Sequence, residues 1–239
     1  MSGHSKWSKV KHQKAVTDVV KGQAFTKAGH AITIAVHEGG GITDPDKNFR
    51  LRLAIELARS VNMPKSIIER AIAKAAGEGA GAMESLVYEA YGPGGVAILI
   101  TAATDNRQRT IAAVKNVVES GGGAIASPGS VQYQFSQSGV VTVPKHDQTF
   151  ERMEEVAIEA GADSLTETED VFELYTNPHA LHAVKQAVEQ EGIVTDNAQL
   201  IMKPTMPVDC PPDIRTRVDA LVLRLETMDD VHQVYTNLL

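Results

Sequence analysis

The chain has 239 residues, 43% of them hydrophobic and 22% charged, and one cysteine, Cys210. That length allows about one to three domains and a core that needs no staples. A single cysteine excludes an intramolecular disulfide and any multi-cysteine zinc or iron–sulfur centre.

The net charge of −7 argues, taken alone, against nucleic acid, but the charge is unevenly spread. Residues 1–75 hold 13 Lys and Arg against 6 Asp and Glu, net +7, whereas residues 76–239 hold 10 against 24, net −14. Such asymmetry reads as a basic module for a polyanion carried on an acidic body, which would confine contact to one end. No apolar run approaches the roughly 18 residues of a membrane span. The amino terminus lacks a signal-peptide pattern, so a soluble intracellular protein is expected.

In chain order, residues 1–15 are polar and lysine-rich and read as an arm mobile in the free chain. A helical pattern starts near Asp18, with Phe25, Ala28, Ile32 and Ala35 on one face, and Gly39-Gly40-Gly41 stops it. Asp44-Pro45 predicts the next start, Asp44 as cap and Pro45 as first helical residue, with Leu51, Ala54, Ile55 and Ala58 inward. Pro64 opens a third helix with the stripe Ile68, Ala71, Ile72 and Ala75, and residues 77–81 form a glycine linker. Val96–Ile100 then reads as a buried strand behind the turn at residues 92–95. Asp105 and Gln108 are spaced as a capping box before a helix with Ile111, Val114 and Val118 inward, ended by Gly121-Gly122-Gly123. Ser130–Phe135 alternates as a strand. Residues 139–203 follow the order strand, helix, strand, strand, helix, strand, which is the split βαβ order of a ferredoxin-like domain. A last helix with Val218, Leu221, Val222 and Leu225, and a strand Val231–Tyr235, cannot build a core alone and should return to the 82–137 segment.

The fold class is therefore α+β multidomain: an N-terminal three-helix bundle plus two α+β domains, one ferredoxin-like and inserted in the other. The expected boundaries are 1–78 for arm and bundle, 79–137 with 205–239 for the α+β domain, and 138–204 for the insertion.

No Walker loop, zincin, nucleophile-elbow or Cys–His pattern is present. His179 and His182 read as a polar helix face rather than a metal site, and Cys210 has no neighbour to lower its pKa. The sequence makes no case for an enzyme, a metal, a cofactor or a small-molecule substrate. Nucleic acid is another matter. Lys6, Lys9, Lys11 and Lys14 space ammonium groups along the arm, Trp7 offers a stacking face, and His4 and His12 flank them. Lys21 and Lys27 continue the basic run, Arg50 and Arg52 add to it, and Arg107 and Arg109 lie at a helix N-terminus suited to phosphate.

Several motifs together resemble the YebC/PmpR family: Gly3-His4-Ser5-Lys6-Trp7, Asn62-Met63-Pro64-Lys65, Tyr91-Gly92-Pro93-Gly94-Gly95, residues 104–110 (Thr-Asp-Asn-Arg-Gln-Arg-Thr) and Gly129-Ser130-Val131. Residues 159–163, 229–231 and 234–237 continue the match, which covers nearly the whole chain in order. The resemblance implies a helical bundle plus two α+β domains, one inserted in the other. It also implies a bacterial cytoplasmic regulator of gene expression: a DNA-binding transcriptional regulator by the usual family assignment, or a factor that binds the ribosome or its RNA and assists translation. Where the family usually has basic residues on its first long helix, this chain has Val19, Val20, His30 and His37, and Phe49 replaces the usual proline, so weaker non-specific binding is expected. An arm of lysines around one tryptophan suits irregular RNA, with exposed bases and crowded phosphates. The reading therefore leans to a ribosome- or RNA-associated translation factor, most simply a monomer. The alternatives are the DNA-binding regulator and a protein–protein adaptor.

Overall fold

The computed structural model describes residues 18–77, 83–146 and 148–239, without the side chains of 18–21. The arm and most of the glycine linker lie outside the described residues. The described chain divides into two compact units, residues 136–203 and the segments flanking them.

In the flanking unit, α1 (Asp18–Glu38), α2 (Phe49–Ser60) and α3 (Lys65–Ala76) close on one apolar cluster. Ala28, Ile32, Ala35 and Val36 of α1 meet Leu51, Ala54, Ile55 and Ala58 of α2, with Met63, Ile68 and Ala75 completing it. After α1 the N–H of Gly41 returns to the Val36 carbonyl at 2.8 Å, with Gly40 and Gly41 at φ 69° and 82°. Those left-handed values are what the glycines permit.

The start of α2 corrects the sequence reading. Asp44 organises only a turn, and the cap is Asn48. Its Oδ1 accepts from Leu51 N at 3.1 Å while its Nδ2 donates to the carbonyls of Ala35 and Ile42 at 2.8 and 3.0 Å. One buried amide thus caps α2 and ties it to the end of α1, an advantage Asp44 lacks because a carboxylate cannot donate.

Beyond the linker, β1 (Glu84–Tyr91), β2 (Ala97–Thr104), β3 (Ala124–Ile125) and β8 (Val231–Thr236) form an antiparallel sheet in the order β3-β1-β2-β8. The carboxy-terminal strand does return to this sheet, beside β2. Helices α4 (Arg107–Ser120) and α7 (Pro212–Glu226) bury Val114, Val118, Leu221 and Leu225 against Tyr88, Ala90, Ile98 and Ile100. Strand β1 was missed in the sequence because its first four residues are mostly exposed, which blurs the alternation. The capping box at Asp105 is also corrected: Asn106 caps α4, its Oδ1 accepting from Arg109 N at 3.0 Å. At the far end of α4 the chain turns so tightly that a Cβ on Gly123 would lie 2.5 Å from the Tyr91 carbonyl oxygen.

Of the expected strand Ser130–Phe135, only Phe135 is in one. Glu89 explains why: its carboxylate, 5% exposed, accepts from Gly129 N and Val131 N at 2.5 Å each and from Gln132 N at 2.9 Å. Three consecutive-region N–H groups aimed at one side chain cannot also serve a ladder, and residues 132–134 form a 3-10 turn instead. Burial pushes the Glu89 carboxyl up, but these three donors hold it below the usual carboxylate value.

The inserted unit runs β4 (Phe135–Pro144), α5 (Phe150–Glu159), β5 (Ser164–Glu167), β6 (Val171–Thr176), α6 (Leu181–Gln190) and β7 (Asn197–Pro204), with strand order β5-β6-β4-β7. This is the ferredoxin-like order expected. His179 lies in the turn before α6 rather than on a helix with His182. All six residues of β6 are buried, including Glu173, whose Oε2 accepts from the Tyr175 hydroxyl at 2.7 Å. Burial raises the Glu173 pKa. The Lys203 ammonium sits 3.8 Å from the Tyr175 ring centroid, a cation–π contact. No helix among the described residues is long and apolar enough to cross a membrane.

Candidate nucleic-acid interface

Of the twelve residues singled out in the sequence, Lys6, Trp7, Lys9, Lys11, His12 and Lys14 lie outside the described residues, and Lys21 is described only in its helical backbone. The remaining five are scattered, and four are engaged within the chain. The Lys27 ammonium donates to the Glu226 carbonyl, one of the free acceptors at the end of α7. Gln23 donates to the Thr227 carbonyl at 3.2 Å, so one face of α1 is spent on fastening the bundle to α7. Burial lowers the Lys27 pKa, against the pull of Glu226 and Asp229.

Arg50 pairs with Glu38. Arg52 donates to the Pro45 carbonyl at 3.1 Å and meets Asp46 at 3.4 Å. Arg109 is held by Asp105 at 2.9 Å and Asp230 at 3.2 Å; Thr110 completes that cluster by donating to Asp230 at 2.7 Å. These exposed pairs add little stability, typically about 0–1 kcal/mol each, but they lower the charge on offer to a ligand. Arg107 alone of the five is exposed without an ion pair among the described residues.

The bundle carries cations that sequence reasoning did not select. Among its described residues, Glu38, Asp44, Asp46 and Glu69 pair with Arg50, Lys47, Arg52 and Lys65. Arg59, Arg70 and Lys74 are exposed and make no ion pair with a described residue. Arg70 and Lys74, four apart on α3, share the face opposite the buried Ile68 and Ala75. The signal available in the sequence was partial: within α3 neither Arg70 nor Lys74 has an acid three or four residues away, whereas Arg59 follows Glu56 by three.

Near the same face of α1, His30 is pushed below its usual value by burial although Asp230, Asp229 and Asp105 oppose the shift. His232 on β8 goes further, to about 4, through burial first and then the charges of Lys27 and His30. Its Nδ1 is enclosed with no hydrogen-bond partner among the described residues. The unfolded ring takes up a proton near pH 6.5 and the folded ring only near pH 4, so stability should be full above 6.5 and fall as the pH drops through that window. The loss expected from this group is about 3 kcal/mol. Urea midpoints measured between pH 7 and 4 should therefore decline, and His232→Phe should flatten the decline.

Among the described residues no group of three or more His, Cys, Asp or Glu converges on a possible metal site. The geometry is thus that of a basic bundle in which Arg59, Arg70 and Lys74 pair with no described acid, continuous in sequence with a lysine arm and with an acidic α+β body.

Comparison with known proteins agrees with this architecture. Residues 5–78 match the family model for the TACO1/YebC protein N-terminal domain, and residues 83–238 match that for the TACO1/YebC second and third domain. The chain is 45% identical over 245 residues to a probable transcriptional regulatory protein of Chloroflexus aurantiacus, covering all of this chain and 95% of the relative. A protein of the same name from Persephonella marina is 45% identical, covering 99% of this chain and 95% of its own length. The crystal structure of a conserved hypothetical protein from Aquifex aeolicus superposes with a TM-score of 0.90 at 39% identity, over 98% of this chain and 96% of that one. The chain belongs to the TACO1/YebC family.

Proposed function

We propose that this protein is a non-enzymatic regulator of gene expression that binds structured RNA, with the ribosome as its target, through the arm and the free cations of the bundle. The observation that carries the reading is the composition and engagement of the three bundle helices. A duplex-reading helix needs Arg, Asn or Gln side chains free to reach base edges. Helices α1 to α3 contain one Asn or Gln between them, Gln23, and its amide is committed to Thr227. Arg50 and Arg52 are committed as well. What is left, one unpaired arginine on each of α2 and α3 (Arg59 and Arg70) with Lys74 and the arm lysines, can neutralise phosphate but gives no single helix the row of free Arg, Asn or Gln that reading a major groove takes. Phosphate contact with one stacking indole fits irregular RNA, whose unpaired bases accept an aromatic face.

The second reading, a DNA-binding transcriptional regulator, is favoured by the names of the relatives. Co-sedimentation with ribosomes across a salt series, beside a mobility shift with random duplex, separates the two. Salt-sensitive ribosome association with weak, unspecific duplex binding is the expected result. Absence from the ribosome pellet, with tight binding to one promoter fragment over competitor, would transfer the function to transcription.

A further inference from the structure

The sheet of the flanking unit has an open edge above a groove. Strand β1 pairs with β2 along its whole length, but β3 covers only Ala90 and Tyr91, and Ala126 N adds a bond to the Glu89 carbonyl at 2.8 Å. Because alternate residues point their backbone groups the same way, Ser85 and Val87 direct N–H and C=O to the same side as Glu89. No strand among the described residues meets them there. Two features stop β3. Continued antiparallel, it would set Pro128 opposite Val87, and proline has no N–H to give. The Glu89 carboxylate meanwhile draws residues 129–132 away.

Beneath this edge lies a groove of about 230 Å³, lined by Leu86, Tyr88, Ile111, Ile125, Pro128 and Arg107 among others. Two polar groups in it lack partners among the described residues. Tyr88 is only 9% exposed and its hydroxyl is buried without a hydrogen bond. Arg107, the first residue of α4, has no ion pair, and its charge reaches the Tyr88 hydroxyl. On the other face of the strand, Val87 is 48% exposed, ready for a cross-strand neighbour.

We propose that the β1 edge docks an extended segment of a partner protein as an added strand, with an acidic side chain of that segment seated in the groove against Arg107 and the Tyr88 hydroxyl. The edge offers donors and acceptors in alternation, which a polypeptide strand matches and a phosphodiester, an acceptor only, does not. A residue opposite Leu86 or Tyr88 in the new strand points its side chain into the groove, since paired residues share a face. The groove's two unspent polar groups are both donors, one cationic, beside the positive end of α4; a carboxylate is the complement. The surrounding α+β body is strongly acidic and disfavours a polyanion, while a neutral strand with one carboxylate pays little of that repulsion.

The test uses the full 15N-labelled chain and a capped peptide alternating threonine and valine about a central glutamate. Saturable shifts of the Ser85, Val87 and Ala126 amides are expected. Methylating the peptide amides that face β1, which leaves the protein untouched, should weaken binding at least about tenfold, as should changing the central glutamate to glutamine. Arg107→Ala should erase the preference for glutamate over glutamine while far-UV circular dichroism stays unchanged. Reversal of the arm lysines should leave peptide binding intact, which keeps this site separate from the nucleic-acid reading. No saturation by ~2 mM peptide, shifts indifferent to N-methylation, or the same shifts produced by oligo(U) would each overturn the proposal.

Discussion

Reversing Lys6, Lys9, Lys11 and Lys14 to glutamate should abolish association with nucleic acid and leave the fold intact. Those four lysines supply a net +4 to residues 1–17, which contain no Asp or Glu, and reversal turns that to −4. The described bundle cannot make good the loss. Arg50, Arg52 and Lys27 are tied within the chain, and only Arg59, Arg70 and Lys74 stand free of ion pairs with described residues. Each phosphate contact contributes about 0.7 to 0.9 to the slope of log K against log salt, so a contact of about five phosphates should give a slope of roughly −3.5 to −4.5. Reversing Arg59, Arg70 and Lys74 together should make the slope shallower by about 2 to 3 and weaken binding without abolishing it. Reversing Arg109, already held by two carboxylates, should change little. Sedimentation or anisotropy across salt concentrations measures all three. Undiminished affinity in the arm variant would move the interface to another part of the molecule.

Glu89→Ala should be among the most damaging single substitutions in the chain, costing about 3–5 kcal/mol. The carboxylate is the acceptor for three backbone N–H groups. Stripping an acceptor from a buried donor costs about 1–3 kcal/mol, reduced where water can enter. Gly129 and Gln132 are exposed as residues, so the full sum is not reached. Glu89→Gln keeps one oxygen but turns an amide NH2 toward a second donor, and should recover only part of the loss. The acid dependence carries a definite sign. The folded carboxyl has a pKa below its ordinary 4.5, so its contribution is complete above that value and disappears as the pH falls through the folded one. Urea unfolding of the two variants and of the parent at neutral and acid pH checks both statements.

Much of the fold was legible because burial and period agree. The stripe Ala28, Ile32, Ala35 on α1 and the run of β2 are what a helix packed on one side and a fully covered strand must show. The alternating order of residues 139–203 gave the insertion for the same reason. Errors fell where a side chain outside the local pattern decided the backbone. Asn48 displaced Asp44 as the cap because it could donate to α1 at the same time. Glu89 bent residues 129–134 out of a strand from forty positions away. No window of sequence contains both partners of such a contact. The candidate site was legible only as charge. Which lysines and arginines are spent on carbonyls and acids depends on packing, as Lys27 on Glu226 and Arg109 on Asp230 demonstrate.

The point where the insertion leaves and rejoins its host has a consequence for how the chain tolerates it. Thr205 donates through both N–H and hydroxyl to the Gln134 carbonyl, at 2.8 and 3.0 Å, so the outgoing and returning strands are stitched together at their base. Once the insertion has folded, its two ends are a hydrogen bond apart, and β8 reaches β2 across roughly half the chain length that would otherwise separate them, a change in closure entropy of only about 0.6 kcal/mol. In closure entropy, the host therefore gains little from the folded insertion and loses little to it. A module of another length whose ends emerge side by side, exchanged for residues 136–203, should leave that closure cost nearly unchanged.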